Sequence, residues 1–436
     1  MTPFPITPIP HPLRASVRVP GSKSLTNRAL ALAALADGPT LLTNALLSDD
    51  TRYFIESLTR LGFNVRAIHE LPLPSITVHG LNGSIPSSRA SLFTGNAGTA
   101  ARFLTAFVAL GHGEYIIDGD DRMRQRPIGD LVSALAQLGA NVNSLNPQSA
   151  IRNQQSVRPP VRVIASGLPG GTAQISAETS SQFLSALLMV APYAQSPVEL
   201  LAEREVNSKP YVDMTIAVMN DFGVTVERDG YEHFRVVPQR YRAQSEYIIE
   251  SDASAASYFF AAPAICGGSV RVQNIARRSK QGDIAFLDVL EQMGCTVVEG
   301  GDWIEVVGAI HESPLHESPL RGVDVDLRDI PDTAQTLAAI APFANLPTTI
   351  RGIASARLKE TDRIAATCAE LRRLGVTVEE YPDGLKIYPC QNIQPTVIQT
   401  YNDHRMAMAF ALVGLRAPGI AIENPACVSK TFPNYF

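Results

Sequence analysis

Charged and hydroxyl-bearing residues gather in this sequence where apolar stretches are about to begin. Gly21-Ser22-Lys23-Ser24-Leu25-Thr26-Asn27-Arg28 sets Lys23 and Arg28 beside serine hydroxyls. A helix starting here offers free backbone N–H groups and the positive end of its dipole, which attract phosphate or carboxylate. Taken alone, the segment is equally a capped helix with two solvated cations. Gly95-Asn96-Ala97-Gly98-Thr99 is small enough to let a ligand reach the backbone. Arg122, Arg124 and Arg126 fall within five residues just before Pro127. Guanidinium binds carboxylate and phosphate bidentately, although a run of solvated charge reads the same way. Ser180-Ser181-Gln182 and Ser208-Lys209-Pro210-Tyr211 bring hydroxyls and an aromatic face that suit a hydroxylated ring.

The C-terminal half carries the carboxylates. Ile330-Pro331-Asp332 places Asp332 at a helix start, where simple capping is the plain alternative. Arg357-Leu358-Lys359-Glu360-Thr361-Asp362-Arg363 packs five charges into seven residues ahead of an amphipathic helix. Asp403-His404-Arg405 opens an otherwise apolar helix, so the triplet must be paired or face a cleft. Ser429-Lys430-Thr431-Phe432 follows near the C-terminus. Lys23, Arg28, Arg126, Lys209, Lys359, Arg363, Arg405 and Lys430 all sit in these clusters, in a protein of net charge −5. Such local excess points to small, multiply anionic ligands held in a cleft.

Other chemistry is not indicated. Ser22 breaks the P-loop pattern before Lys23, and no G-x-G-x-x-G follows a strand, so no dinucleotide is expected. The D-x-D pairs Asp118/Asp120 and Asp324/Asp326 have neither histidine nor calcium-loop spacing nearby, and no metal or other cofactor is expected. The negative net charge argues against nucleic acid. No apolar stretch reaches the ~18–20 residues of a membrane span. Met1-Thr-Pro-Phe-Pro lacks the basic start of a signal or transit peptide. Five cysteines with no C-x-x-C pair suggest reduced thiols buried in the core of a cytoplasmic protein.

These clusters need elements to hold them, and the elements recur. Segments ending at Gly62, Gly139, Gly223, Gly294 and Gly375 carry apolar residues seven, four and one positions earlier, as in Ile55/Leu58/Leu61 and Cys368/Leu371/Leu374. Three residues after each glycine stands a valine: Val65, Val142, Val226, Val297 and Val378. That pattern predicts an amphipathic helix, a glycine at its C-terminal end, then a strand. A second set of helices begins near Ser24, Gly98, Ser180, Asp252, Asp332 and Asp403 and is apolar on nearly every face, hence buried. The expectation is an α/β protein of six units, each of roughly 75 residues, three to a lobe. The sixth unit lacks its surface helix, and the first 20 residues supply the missing strands. The lobes are expected at 21–250 and at 1–20 plus 251–436, with the helix starts turned to the cleft between them.

Pro20-Gly21-Ser22-Lys23-Ser24, Gly95-Asn96-Ala97-Gly98-Thr99, Arg126-Pro127-Ile128, Ser180-Ser181-Gln182, Ser208-Lys209-Pro210-Tyr211, Lys359-Glu360-Thr361-Asp362-Arg363, Asn402-Asp403-His404-Arg405 and Lys430-Thr431-Phe432-Pro433 together resemble the 5-enolpyruvylshikimate-3-phosphate synthase family. The resemblance runs the full length, in order. It implies a two-lobed inside-out α/β barrel of six βαβαββ repeats. It also implies transfer of the enolpyruvyl group of phosphoenolpyruvate to the 5-hydroxyl of shikimate 3-phosphate, in a monomer without cofactor and without nucleic-acid or membrane partner. By the same resemblance, Lys23, Ser24, Arg28, Ser180, Ser181, Gln182, Ser208, Tyr211, Asp332, Ser355 and Lys359 hold shikimate 3-phosphate. Lys23, Asn96, Gly98, Arg126, Gln182, Glu360, Arg363, His404, Arg405 and Lys430 hold phosphoenolpyruvate. Asp332 is implied as the base, and Glu360 or Lys23 as the acid. Relatives often carry proline at Phe103 and asparagine at Ser355, while Gly98 resembles glyphosate-sensitive members. Two rivals share the fold: the UDP-N-acetylglucosamine enolpyruvyl transferases, which use a cysteine in the loop that here reads Asp120–Arg126 without one, and a non-catalytic anion-binding protein, which has no need of Asp332 and Glu360.

Overall fold

The computed structural model describes residues 2–68, 73–147, 157–308 and 320–436. The chain divides into two units, Gly21–Ile249 and Met1–Pro20 with Glu250–Phe436. The first contains α1 (Lys23–Leu35), α2 (Asp49–Arg60), α3 (Gly98–Phe107), α4 (Gly129–Gln137), α5 (Ser181–Val190) and α6 (Lys209–Asp221). The second contains α7 (Ala253–Cys266), α8 (Phe286–Gln292), α9 (Ala334–Ile340), α10 (Arg363–Arg373) and α11 (His404–Arg416).

Helices rich in alanine and leucine fill the interior of each unit. Every residue of α1 from Leu25 to Leu35 is buried, as is almost all of α11. Alanine lets backbones approach closely, so α7, α9 and α11 pack against one another, and α3 packs against both α1 and α5. Each unit has its own apolar core. The strands bury one face only: Val161–Ser166 alternates buried and open side chains, as one covered sheet face requires.

Five four-stranded sheets share one plan. An outer strand runs parallel to the second, the second is antiparallel to the third, and the third to the fourth, as in Asp324–Asp326, Thr348–Arg351, Gly384–Ile387 and Val378–Tyr381. A three-stranded sheet completes the set, and no ladder among the described residues closes on itself. The N-terminal segment serves the C-terminal unit. Leu13–Val17 pairs in parallel with Gly268–Gln273, and Phe4–Pro5 pairs antiparallel with Ile420–Ile422.

All five repeated glycines adopt positive φ, between 81° and 103°. Behind each, the next residue donates its N–H five residues back: Phe63 to Leu58, Ala140 to Leu135, Val224 to Met219, Cys295 to Leu290 and Val376 to Leu371. This is the Schellman closure, in which the acceptor carbonyl belongs to the apolar residue four before the glycine. Of the following valines, Val226 stands one residue ahead of its strand, Glu227–Asp229. Ile55 and Val132 are only half-buried.

The cysteines depart from a uniform core placement. Cys295 and Cys368 are buried, but Cys266, Cys390 and Cys427 are partly open. Cys266 ends α7, Cys390 lies beyond strand Gly384–Ile387, and Cys427 lies within the 3₁₀ turn Pro425–Lys430. Burial still pushes the Cys266 thiol up to about 11 and the Cys368 and Cys427 thiols up to about 12.

Candidate active site

The densest charge cluster of the C-terminal unit forms where α9, α10 and α11 begin. Arg363, the first residue of α10, is buried and bridges three carboxylates. Its Nε donates to Asp403 (2.7 Å), Nη1 to Asp332 (3.1 Å) and Nη2 to Glu360 (2.7 Å). Burial alone would lower its pKa, but Asp403, Glu360 and Asp332 outweigh that and hold it above the ordinary guanidinium value. The second Asp332 oxygen accepts from Arg405 Nη2 at 2.7 Å, and Lys359 Nζ lies 3.9 Å from the first. Lys430 Nζ lies 3.0 Å from Glu360. Three carboxylates thus share one guanidinium, with Lys359, Arg405 and Lys430 beside them.

Local sequence explains this delivery. Asp403 caps α11 by accepting from the Arg405 N–H at 2.9 Å, which points the His404–Arg405 pair inward. Asp362 caps α10 and, with Glu380, binds Arg357. The seven-residue charge run therefore splits: Arg357 and Asp362 build structure, while Lys359, Glu360 and Arg363 join the cluster. Asp332 does not cap a helix. It lies in a 3₁₀ turn, Pro331–Thr333, and its carboxylate faces the cations instead. Ser355 sits in the 3₁₀ stretch Ala354–Leu358, its Oγ buried with no hydrogen-bond partner among the described residues. His404 is buried, its Nδ1 3.6 Å from Asp403.

The N-terminal unit gathers the remaining residues around α1, α3 and α5. Lys23 opens α1 and pairs with Asp50 of α2 at 3.3 Å. Arg28, expected as a ligand residue, is 1% exposed and engaged by its own protein. It donates to Thr215 Oγ1 (2.7 Å), the Ser24 carbonyl (3.0 Å), Ser185 Oγ (3.3 Å) and the Tyr211 carbonyl (3.1 Å), and lies over the Phe103 ring. Burial lowers its pKa to about 10.

Gly98 begins α3, and a Cβ there would stand 2.6 Å from Arg126 Nη2 and 3.0 Å from Arg102 Nη1. Glycine is what lets two guanidiniums close on this helix start. Arg126 donates to both the carbonyl (3.2 Å) and Oδ1 (3.0 Å) of Asn96. Its neighbours serve elsewhere: Arg124 grips Asp118, and Arg122 reaches Gln125. Ser180 caps α5, and Gln182 crosses to Thr99 of α3 at 3.3 Å. Ser181 and Ser208 are buried, and Ser208 takes a left-handed φ of 55° ahead of α6.

Sequence reasoning passed over Asp50, Arg102, Asp403 as an Arg363 partner, and Asp283. Asp283 is buried, accepts a hydrogen bond from the Ser254 hydroxyl, and feels both Asp332 and Arg405. Its carboxyl is pushed up to about 7, first by burial and then by Asp332. Its sequence signal is slight, an aspartate after Gln281-Gly282 where a basic run gives way to apolar residues.

Fold and site define an α/β protein that gathers cations and carboxylates where its helices begin. Residues 8–436 match the EPSP synthase (3-phosphoshikimate 1-carboxyvinyltransferase) profile. A 3-phosphoshikimate 1-carboxyvinyltransferase from Nostoc sp. is 49% identical, over 98% of this chain and 96% of its own length. One from Shewanella sp. is 48% identical, over 97% and 96%. An EPSP synthase structure from Acinetobacter baumannii superimposes with a TM-score of 0.78 at 23% identity, covering 100% of this chain and 97% of that one, a likeness of fold. The chain belongs to the EPSP synthase family.

Proposed function

We propose that the chain transfers the 1-carboxyvinyl group of phosphoenolpyruvate to the 5-hydroxyl of shikimate 3-phosphate, releasing phosphate, as a transferase of the shikimate pathway. The observation that carries this reading is the buried Arg363 bridging Asp332 and Glu360, with Arg405, Lys359 and Lys430 on the same two carboxyl groups. Protonating a vinyl carbon while an alcohol attacks its neighbour needs one acid and one base. Asp332 accepts the hydroxyl proton as oxygen bonds to C2 of phosphoenolpyruvate. Glu360, or Lys23, delivers a proton to C3. The tetrahedral intermediate then loses phosphate, and C3 gives back a proton to restore the double bond.

The cations hold substrate charge through both steps. Lys23, Arg126, Arg363, Arg405 and Lys430, with Asn96, Gly98, Gln182 and His404, bind phosphoenolpyruvate. Lys23, Ser24, Arg28, Ser180, Ser181, Gln182, Ser208, Tyr211, Ser355 and Lys359 bind shikimate 3-phosphate. Without ligand, both Asp332 oxygens accept from guanidinium groups. An anionic substrate competes for Arg363 and Arg405, which frees a lone pair on Asp332 for the hydroxyl proton. Affinity of the anion and basicity of the carboxylate are thereby linked.

The test is turnover with both substrates, following phosphate release. Asp332→Asn and Glu360→Gln should remain folded and lower kcat by about 10²–10⁴-fold, the scale of one proton-transfer group. Near-normal kcat in both variants refutes the assignment. The Asp120–Arg126 loop has no cysteine, which supports shikimate 3-phosphate over a UDP-sugar acceptor. The shared sheet plan supports six copies of one βαβαββ unit, three per lobe, folded as an inside-out barrel with lobes 21–250 and 1–20 plus 251–436. A cytoplasmic monomer fits the net charge of −5 and the lack of any helix, among the described residues, long and apolar enough to cross a membrane.

A further inference from the structure

The chain enters α11 through an unfavourable turn. Between strand Thr396–Ile398 and the Asp403 cap, Tyr401 and Asn402 both take φ of 53°. Left-handed backbone is unfavourable for an L-residue, with asparagine the more tolerant of the two. A consecutive pair persists only if its surroundings hold it. The turn matters because Asp403, His404 and Arg405 follow it directly.

One buried side chain grips this turn from α10. Glu370 is fully buried, and its carboxylate accepts from the Gln399 N–H (3.0 Å) and the Tyr401 hydroxyl (2.8 Å). Arg373 Nη1 completes it, at 3.0 and 2.8 Å from the two oxygens. Arg373 Nη2 also donates to the Val397 carbonyl at 2.8 Å, and Thr396 Oγ1 donates to the Arg373 carbonyl at 3.2 Å. Glu370 lies two turns beyond Arg363, on the same face of α10. That face therefore holds the connection twice: Glu370 takes its entry at Gln399 and Tyr401, and Arg363 takes its exit at Asp403.

We propose that Glu370 is a positioning residue, which fixes the left-handed Tyr401–Asn402 turn and so aims Asp403 and Arg405 at Arg363 and Asp332. It touches no substrate. A loosened turn lets the start of α11 drift, and the Arg405–Asp332 contact, made at 2.7 Å, is the first to degrade. Arg405 is read above as a phosphoenolpyruvate residue, and the kinetic half of the proposal rests on that reading. The losses then fall on phosphoenolpyruvate rather than shikimate 3-phosphate.

Tyr401→Phe removes one hydrogen bond and little else, and Glu370→Gln weakens all of them. With wild-type turnover as the reference, Tyr401→Phe should raise KM for phosphoenolpyruvate about 3–10-fold and leave KM for shikimate 3-phosphate unchanged. Glu370→Gln should cost at least about 10-fold in kcat/KM for phosphoenolpyruvate. Adding Asn402→Gly to Glu370→Gln should recover part of that loss, because glycine adopts positive φ without penalty. If Glu370→Gln fails to fold, Tyr401→Phe decides alone. A folded Tyr401→Phe protein with wild-type constants, or equal rises in both KM values, overturns the proposal. The His404 ring NMR signals report the turn without turnover and should move in Tyr401→Phe; unmoved signals also overturn it. Wild-type protein inactive with these substrates would refute the proposed function, while the His404 signals would still decide the role of Glu370.

Discussion

Gly98 owes its importance to neighbours rather than to its own backbone, which needs no positive φ. Gly98→Ala drives a methyl into the flexible ends of Arg126 and Arg102. Alanine is also the better helix former, so stability should hold or rise. We expect KM for phosphoenolpyruvate to rise about 10-fold or more with the melting temperature unchanged or higher, which steady-state kinetics and a thermal melt will check. Asp283 makes a prediction of opposite kind. Its folded pKa, about 7, lies above the usual aspartate value, so the folded state holds the proton more tightly than the unfolded chain. The stability it contributes is complete below about pH 4 and is lost as pH rises through about 7. Asp130, raised to about 6 by burial and then by Glu203 and Glu178, adds the same sign. Asp283→Asn should flatten the fall in melting temperature between about pH 4 and 7; an unchanged slope would remove Asp283 as its source. At this scale the sequence was half legible. It marks Asp332, Glu360, Arg363 and Arg405 by their crowding at helix starts. It could not mark Arg28 as engaged by Thr215 and Ser185, because those partners lie on other helices and no local spacing encodes a crossing.

Helix ends were the most legible elements, because a glycine in left-handed conformation and an apolar residue four before it are local requirements. Gly375 closes α10, and its φ of +81° is closed to most L-residues. Gly375→Ala should therefore destabilise by ~1 kcal/mol through backbone strain, the Cβ standing 3.0 Å from Gln394 Cγ and in ordinary contact, at 3.7 Å, with the Asn392 carbonyl. A thermal or urea melt measures it, and loss of less than a few tenths would show that α10 ends some other way. The strands were harder to read. Val226 shows why: its spacing matches its four counterparts, yet pairing begins one residue later, because register depends on the partner strand. The left-handed Tyr401–Asn402 turn was invisible, since nothing in either side chain demands it and a carboxylate on another helix enforces it.

At the scale of the molecule the two units differ in continuity. Gly21–Ile249 is one unbroken stretch with its own core, and expressed alone it should melt cooperatively and run as a compact species on size exclusion. Residues 250–436 alone should aggregate, because Gly268–Gln273 and Ile420–Ile422 lose the strands that cover their edges. Attaching residues 1–20 after Phe436 should restore solubility; equal solubility without them would mean these strands are dispensable. The same pairing sets a timetable for biosynthesis. Leu13–Val17 leaves the ribosome early, but its partner Gly268–Gln273 is encoded about 250 residues later, a delay of ~12–50 s at ~5–20 residues per second. In that interval the whole of Gly21–Ile249 emerges and can fold, while the leading strands remain without their edge. The proline-broken, largely exposed opening segment is suited to that wait, since proline withholds the backbone donor that premature strand pairing would use.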